Sequence, residues 1–285
     1  MPKKDKTRKV GPVYRILSQD LFITSFHADE VGFRQDEIWR SKSRQFSKDA
    51  DIIGKIEESK KKPGSRRLPP RKKTGFIILR NSVWDGEKDE LARRLVVKLF
   101  SNRGGWTATI EEMVAEELAV SYSSNEPLLS YSVVVKDTEI VTYIRQVRRG
   151  GLSTENYSFY ILGPKNTFEV FRIEGKRATL GDDFHVIRLA TGDVVAEIDS
   201  KFGDIGGEFV VSIRDPVLAD NSWFCRVLQC FSVTIWYRVK MRNRVEKRMK
   251  MWEKEKYVPR MHRHETSLLA NPRKLTLSRE EFEEV

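Results

Sequence analysis

The chain has 285 residues, of which 39% are hydrophobic and 33% charged, and its formal net charge is +11. That length allows one large or two small domains with a substantial core. So polar a composition reads as a soluble chain with long solvated segments rather than a membrane-embedded one. The positive charge is concentrated. Residues 60–73 hold eight basic residues and no acid, residues 238–264 hold eleven basic against three acidic, and residues 1–9 hold five against one. The remainder is therefore mildly acidic, and basic appendages on such a body suit anionic lipid, nucleic acid or acidic protein surfaces.

Residues 1–11 read as a basic, flexible start with no apolar h-region behind it, so no secretory signal is expected. Short strand-like runs follow at Pro12–Leu17, Leu21–Phe26, Glu37–Phe46 and Ile52–Ile56, separated by turn-prone segments. The stretch KKKPGSRRLPPRKK (60–73) breaks the pattern. Its three prolines and one glycine oppose regular structure and its like charges repel, which predicts an extended, disordered basic loop.

Beyond it the strand pattern grows denser: Gly75–Asn81, Arg93–Ser101, Gly105–Met113, Leu128–Lys136, Glu139–Val147, Tyr157–Leu162, Thr167–Ile173, Phe184–Ala190, Val194–Phe202 and Glu208–Arg214. These runs are rich in β-branched and aromatic residues and bounded by turn residues. Asp85–Ala92 could form a short helix, and Val114–Tyr122 fits either helix or strand. The hairpin around TGD (191–193) is the strongest local signal, with Gly192 placed where a positive φ is needed. Many short strands about ten residues apart predict one closed antiparallel sheet.

The most apolar stretch comes after the last strand. Of the fifteen residues Trp223–Tyr237, eleven are apolar or aromatic, and Arg226, Gln229, Ser232 and Thr234 share no helical face. A helix apolar nearly all round must be surrounded by protein or lipid. This one is shorter than the ~20 residues a bilayer crossing needs and carries an arginine, so it reads as core. Asp220, Asn221 or Ser222 can cap its start. Past Tyr237 the apolar positions narrow to Met241, Val245, Met249 and Trp252, a stripe on a basic rod that predicts a projecting, partner-docking extension ending before Pro259. A capping-box pattern at Ser278–Glu281 predicts a short terminal helix. Cys225 and Cys230 are five residues apart in one helix and cannot pair with each other there, which suits a reducing, intracellular compartment, cytoplasmic or organellar.

A run of antiparallel strands, then TGDVVAEIDSK (191–201), GEFVVSIRD (207–215) and a hydrophobic C-terminal helix: this order resembles the tubby C-terminal-like superfamily, which includes the tubby domain, the LURP-one-related proteins and the phospholipid scramblases. The resemblance is strongest over Tyr157–Tyr237 and looser back to residue 12. It implies a mainly β fold, a closed antiparallel barrel of about a dozen strands around the helix, spanning residues 12–240. Residues 241–285 would then be a helical extension. It also implies phosphoinositide or membrane binding through basic side chains. The calcium segment associated with scramblases is not matched, since Asp215 and Asp220 alone cannot supply the six to eight oxygens calcium takes.

Little points to catalysis. No Gly-x-Ser-x-Gly or Ser/His/Asp arrangement is legible, Gly203–Gly207 lacks the lysine and helix of a phosphate loop, and His262 and His264 lack thiol or carboxylate partners for a metal. The expectation is a non-enzyme with no cofactor. The candidate anion-binding residues are Lys60, Lys61, Lys62, Arg66, Arg67, Arg71, Lys72 and Lys73, with Arg242, Arg244, Lys247 and Arg248 on the helix extension. Their partners would be an anionic phospholipid or an acidic protein surface, with RNA or a larger assembly as the other readings. In the alternative function, a structural adaptor of an organellar ribosome or cytoskeletal array, the basic loop and the Met241/Val245/Met249/Trp252 stripe would dock partners.

Overall fold

The computed structural model describes residues 11–21, 50–65, 67–147, 155–163, 167–176, 183–202, 207–261 and 265. Its strands are β1 (Arg15–Leu21), β2 (Ala50–Lys60), β3 (Lys72–Arg80), β4 (Val96–Ser101), β5 (Trp106–Glu112), β6 (Ser130–Val135), β7 (Thr142–Val147), β8 (Asn156–Leu162), β9 (Phe168–Gly175), β10 (Phe184–Arg188), β11 (Val194–Phe202) and β12 (Gly207–Ile213). Each pairs antiparallel with its neighbours in the chain, and β12 returns to β1, with Arg15 opposite Ile213 and Leu21 opposite Gly207. The sheet is thus a closed up-and-down barrel, which leaves no unpaired edge among these strands.

Alternation explains which face is which. In β5, β8 and β12 the residues Ala108 and Ile110, Phe159 and Ile161, and Phe209, Val211 and Ile213 are all inaccessible and share one parity. In β11 Ala196 and Ile198 keep this rule, but Val195 is also buried, because the pairing slips between Val186 and Ile187 and leaves it as the extra residue of a bulge. Gly192 has φ of 75° in the β10–β11 turn, as the hairpin pattern requires.

The barrel is filled by a helix. Helix α1 (Asn81–Trp84) and α2 (Val114–Ser124) lie in the connections between strands, and α3 (Pro216–Asp220) leads into α4 (Ser222–Glu253). Asp215 caps α3 by accepting from the N–H of Val217 and Leu218, and Asn221 Oδ1 accepts from the N–H of Phe224 to start α4. From Phe224 to Ile235 α4 is buried on nearly every side, Arg226 being only partly so. Phe231 meets Tyr157 with ring centroids 4.9 Å apart, and Phe224 meets Phe171 at 5.0 Å. Gly207 admits the Trp236 ring, since a Cβ there would stand 2.8 Å from it. No helix in the described residues is long and apolar enough to cross a membrane.

Three expectations change, and one left open is settled. Residues 85–92 form turns, and the short helix lies just before them at Asn81–Trp84. Val114–Ser124 is helical, because Val114, Glu117, Leu118 and Ser121 fall on one buried face. The basic stretch is not an inserted loop: β2 runs to Lys60 and β3 starts at Lys72, so residues 61–71 close a hairpin. The second half of α4 does not project. Met241 and Val245 are inaccessible and Met249 nearly so, because all three belong to the main core, and the Tyr122 hydroxyl of α2 donates to the Met249 carbonyl at 2.7 Å. Most of the strand expected at 21–26, the one at 37–46, the first ten residues and Ser278–Glu281 lie outside the described residues.

Because Phe231 is buried against the rings of Tyr157 in β8 and Phe184 in β10, Phe231→Ala is expected to remove about 3–5 kcal/mol of stability in urea unfolding. The exposed Val239→Ala should stay within about 0.5 kcal/mol of wild type.

Candidate functional site

Two ends of the barrel carry its polar chemistry. At the end where α4 enters, the β2–β3 hairpin stands beside α3. Lys60 Nζ reaches Asp220 at 2.7 Å, the Lys61 N–H donates to the Tyr14 carbonyl at 2.8 Å, and the Lys61 ammonium lies 5.2 Å from the Tyr14 ring centre. Ser65 N–H closes a turn onto the Lys62 carbonyl at 3.1 Å, and Ser59 Oγ donates to the Pro69 carbonyl at 2.5 Å. Lys60, Lys61 and Lys62 line one side of a hollow of about 430 Å³ whose other side is Pro216, Ala219 and Asp220. Arg71 is drawn onto Glu208 at 2.5 Å. Lys61, Lys62, Arg67 and Lys72 have no carboxylate partner among the described residues, and all but the half-buried Lys61 are exposed.

Just inside this end, Glu58 gathers Arg15 at 2.5 Å, Arg226 at 3.0 Å and the Gln229 amide at 3.1 Å. Burial alone would raise the Glu58 carboxyl, but Arg226 and Arg15 hold it below the usual carboxylate range. Of the four polar residues that break the apolar surface of α4, three are thereby satisfied from the wall, Arg226 and Gln229 by Glu58 and Ser232 by the Gln19 side chain at 2.8 Å, while Thr234 donates to the Phe231 carbonyl of its own helix at 2.7 Å. Burial pushes the thiol of Cys225 up to about 11 and that of Cys230 up to about 12, so neither is a nucleophile at neutral pH.

A cleft of about 580 Å³ opens on the other flank of α3, lined by His185, Arg188, Asp193, Glu197, Arg214 and Asp215. Its cations are matched in pairs: Arg188 bridges Glu169 at 3.0 Å and Asp215 at 2.9 Å, and Arg214 holds Glu197 at 2.7 Å. His185 lies across from Glu197 in register, 3.5 Å away.

At the exit end, α4 is held by a buried ionic network. Arg248, fully inaccessible, donates to Glu112 at 2.8 Å and to the carbonyls of Leu91 at 2.9 Å and Arg93 at 2.5 Å. Glu112 also accepts from the Leu95 N–H at 2.8 Å, and Glu117 accepts from the Ser130 N–H at 3.1 Å. Arg244 is stacked 4.3 Å above the Trp84 ring. Glu265, which returns to cap α2 by accepting from the Ala115 N–H at 2.8 Å, is likewise buried. Burial and then the neighbouring Glu112 push the Glu117 carboxyl well above its usual range, against the pull of Arg248.

The structure therefore separates the cations named from the sequence. Arg244 and Arg248 are buried ion-pair partners, Arg242 pairs with Glu155, Lys247 with Glu90, and none of the four forms a free basic face. Of the apolar stripe, Met241, Val245 and Met249 are covered by the chain itself, while Trp252, 43% exposed, packs edge-on against Tyr122. Lys60–Lys62, Arg67, Arg71, Lys72 and Lys73 belong to one hairpin. Arg66, His262 and His264 lie outside the described residues. Sequence reasoning missed Glu112 and Glu117. The signal was present, since Glu112 shares parity with the inward Ala108 and Ile110, and an inward acid needs a cation facing it.

Arg248→Met leaves Glu112 buried without its partner and is expected to lose about 3–5 kcal/mol of stability. A carboxyl raised on folding contributes stability that is complete below the ordinary carboxylate range and is lost as pH rises through the folded value. Glu117→Gln mimics the protonated form. In urea unfolding it should be at least as stable as wild type at neutral pH, with that advantage shrinking toward pH of about 4. Comparison with family models, curated proteins and solved structures gave no match.

Proposed function

We propose that the protein is a non-catalytic barrel that binds anionic lipid surfaces through the β2–β3 hairpin. The observation that carries this reading is the contrast between the basic hairpin and the cations of α4. The helix cations are buried or paired with carboxylates, whereas Lys61, Lys62, Arg67 and Lys72 stand without carboxylate partners among the described residues. Holding unneutralised like charges close together is unfavourable in isolation, so such a cluster is suited to a polyanion. The tubby-like order of strands, hairpin and enclosed helix supports phosphoinositide-containing membranes as the surface concerned. The reading as an assembly adaptor has less to draw on, because Met241, Val245 and Met249 are covered by the chain itself.

Flotation with phosphatidylcholine vesicles, with and without phosphoinositide, tests the proposal. Binding should require the anionic lipid and weaken as salt is raised. Replacing Lys61, Lys62, Arg67 and Lys72 with glutamate should abolish it, each charge contributing about 1 kcal/mol near the surface. Absence of binding at low salt would reject the proposal.

A further inference from the structure

Three of the large exposed apolar side chains of the described residues occur at the end where α4 enters: Phe168 (67% exposed), Leu189 (46%) and Val217 (73%). The pairing register puts them there together. Phe168 opens β9 opposite Leu162, the last residue of β8, Leu189 follows β10, and Val217 lies in α3 directly after β12. An ion-pair chain ties the three positions to one another. Glu169, next to Phe168, and Asp215, two residues before Val217, are both held by Arg188, the neighbour of Leu189. On the other side of α3, Lys60 holds Asp220, so the basic hairpin borders the same apolar rim.

We infer that this end of the barrel is the face that meets the bilayer, with Phe168, Leu189 and Val217 entering the boundary between headgroups and acyl chains while Lys61, Lys62 and Arg67 contact anionic headgroups. The inference rests on the reading of the protein as an anionic-lipid binder and adds its orientation and an apolar component. Charge complementarity favours a membrane as occupant. Asp220 is paired with Lys60, and Glu169 and Asp215 share the single charge of Arg188, while Asp193 in the β10–β11 turn is exposed without an ion pair among the described residues. The cations without carboxylate partners, Lys61, Lys62 and Arg67, belong to the hairpin that flanks α3. Peripheral binding of this kind sums buried apolar area and attraction to anionic lipid. Three separate side chains on a rigid rim fit a deformable interface better than the continuous contact a folded protein partner needs.

The test measures binding to phosphatidylcholine vesicles containing phosphatidylserine, for wild type and for the single variants Phe168→Ser, Leu189→Ser and Val217→Ser. Val239→Ser and Val258→Ser serve as controls, since these exposed valines belong to the exit half of α4 and the segment beyond it. The three rim variants, which remove no buried contact, should each weaken binding by about tenfold, and the controls should leave it unchanged. Phe168→Trp should show a blue shift of emission on adding vesicles that is larger than that of wild type, whose six tryptophans set the baseline. Should wild type bind while the rim variants bind equally well, or the controls weaken binding as much, the orientation is wrong and the lipid reading survives. Should wild type fail to bind anionic vesicles at low salt, the lipid reading itself fails and the orientation with it.

Discussion

Residues 224–235 of α4 have no face that water could be left on, and the rest of the molecule follows from that constraint. A helix with side chains is about 10–12 Å across. An eight-stranded barrel is filled by its own side chains, whereas a larger one leaves room inside. With twelve strands closed in simple succession, the wall can take α4 as its core, and Phe224 and Phe231 replace what a smaller barrel would supply from its strands. Closure is as necessary as the helix, because β1 and β12 come from opposite ends of the described barrel and meet along seven residue pairs.

The polar groups obey the same constraint. Where α4 carries Arg226, Gln229 and Ser232 through the barrel, the wall provides Glu58 and Gln19 at the matching positions. Where it leaves the barrel, Arg248 reaches Glu112 and two carbonyls of the segment before β4. A buried ion pair of this kind adds little net stability compared with apolar packing, but a misplaced helix would strand its charges. The network therefore fixes the register of α4 against the barrel more than it strengthens the fold.

The strands were legible in the sequence because alternation survives one-sided burial: ten of the runs from Gly75 to Arg214 each correspond to an observed strand, β3 to β12. The enclosed half of α4 was legible for the opposite reason, the lack of any polar face. The second half was not. Met241, Val245 and Met249 give the same narrow stripe whether they meet a partner or the core of the same chain, and Arg248 looks like any surface arginine until Glu112 is seen opposite it. The basic hairpin was recognised as basic but not as a hairpin, because its prolines fall in the connection while Lys60, Lys72 and Lys73 belong to strands. The cleft beside α3 depends on cross-strand pairs such as His185 with Glu197, which spacing along the chain does not reveal.

For function, the consequence is a division of labour between the two ends. At the exit end Arg248, Glu112 and Glu117 are internal and lock α4. The entry end keeps its cations at the surface beside exposed apolar tips, where the short α3 fixes the hairpin through Asp220. Native-state hydrogen exchange of α4 tests this account most directly. If the barrel encloses the helix, the amides of residues 224–235 should exchange only by global unfolding, as slowly as those of β1 and β12. Exchange of those helical amides faster than the strand amides, with the strands still protected, would contradict it.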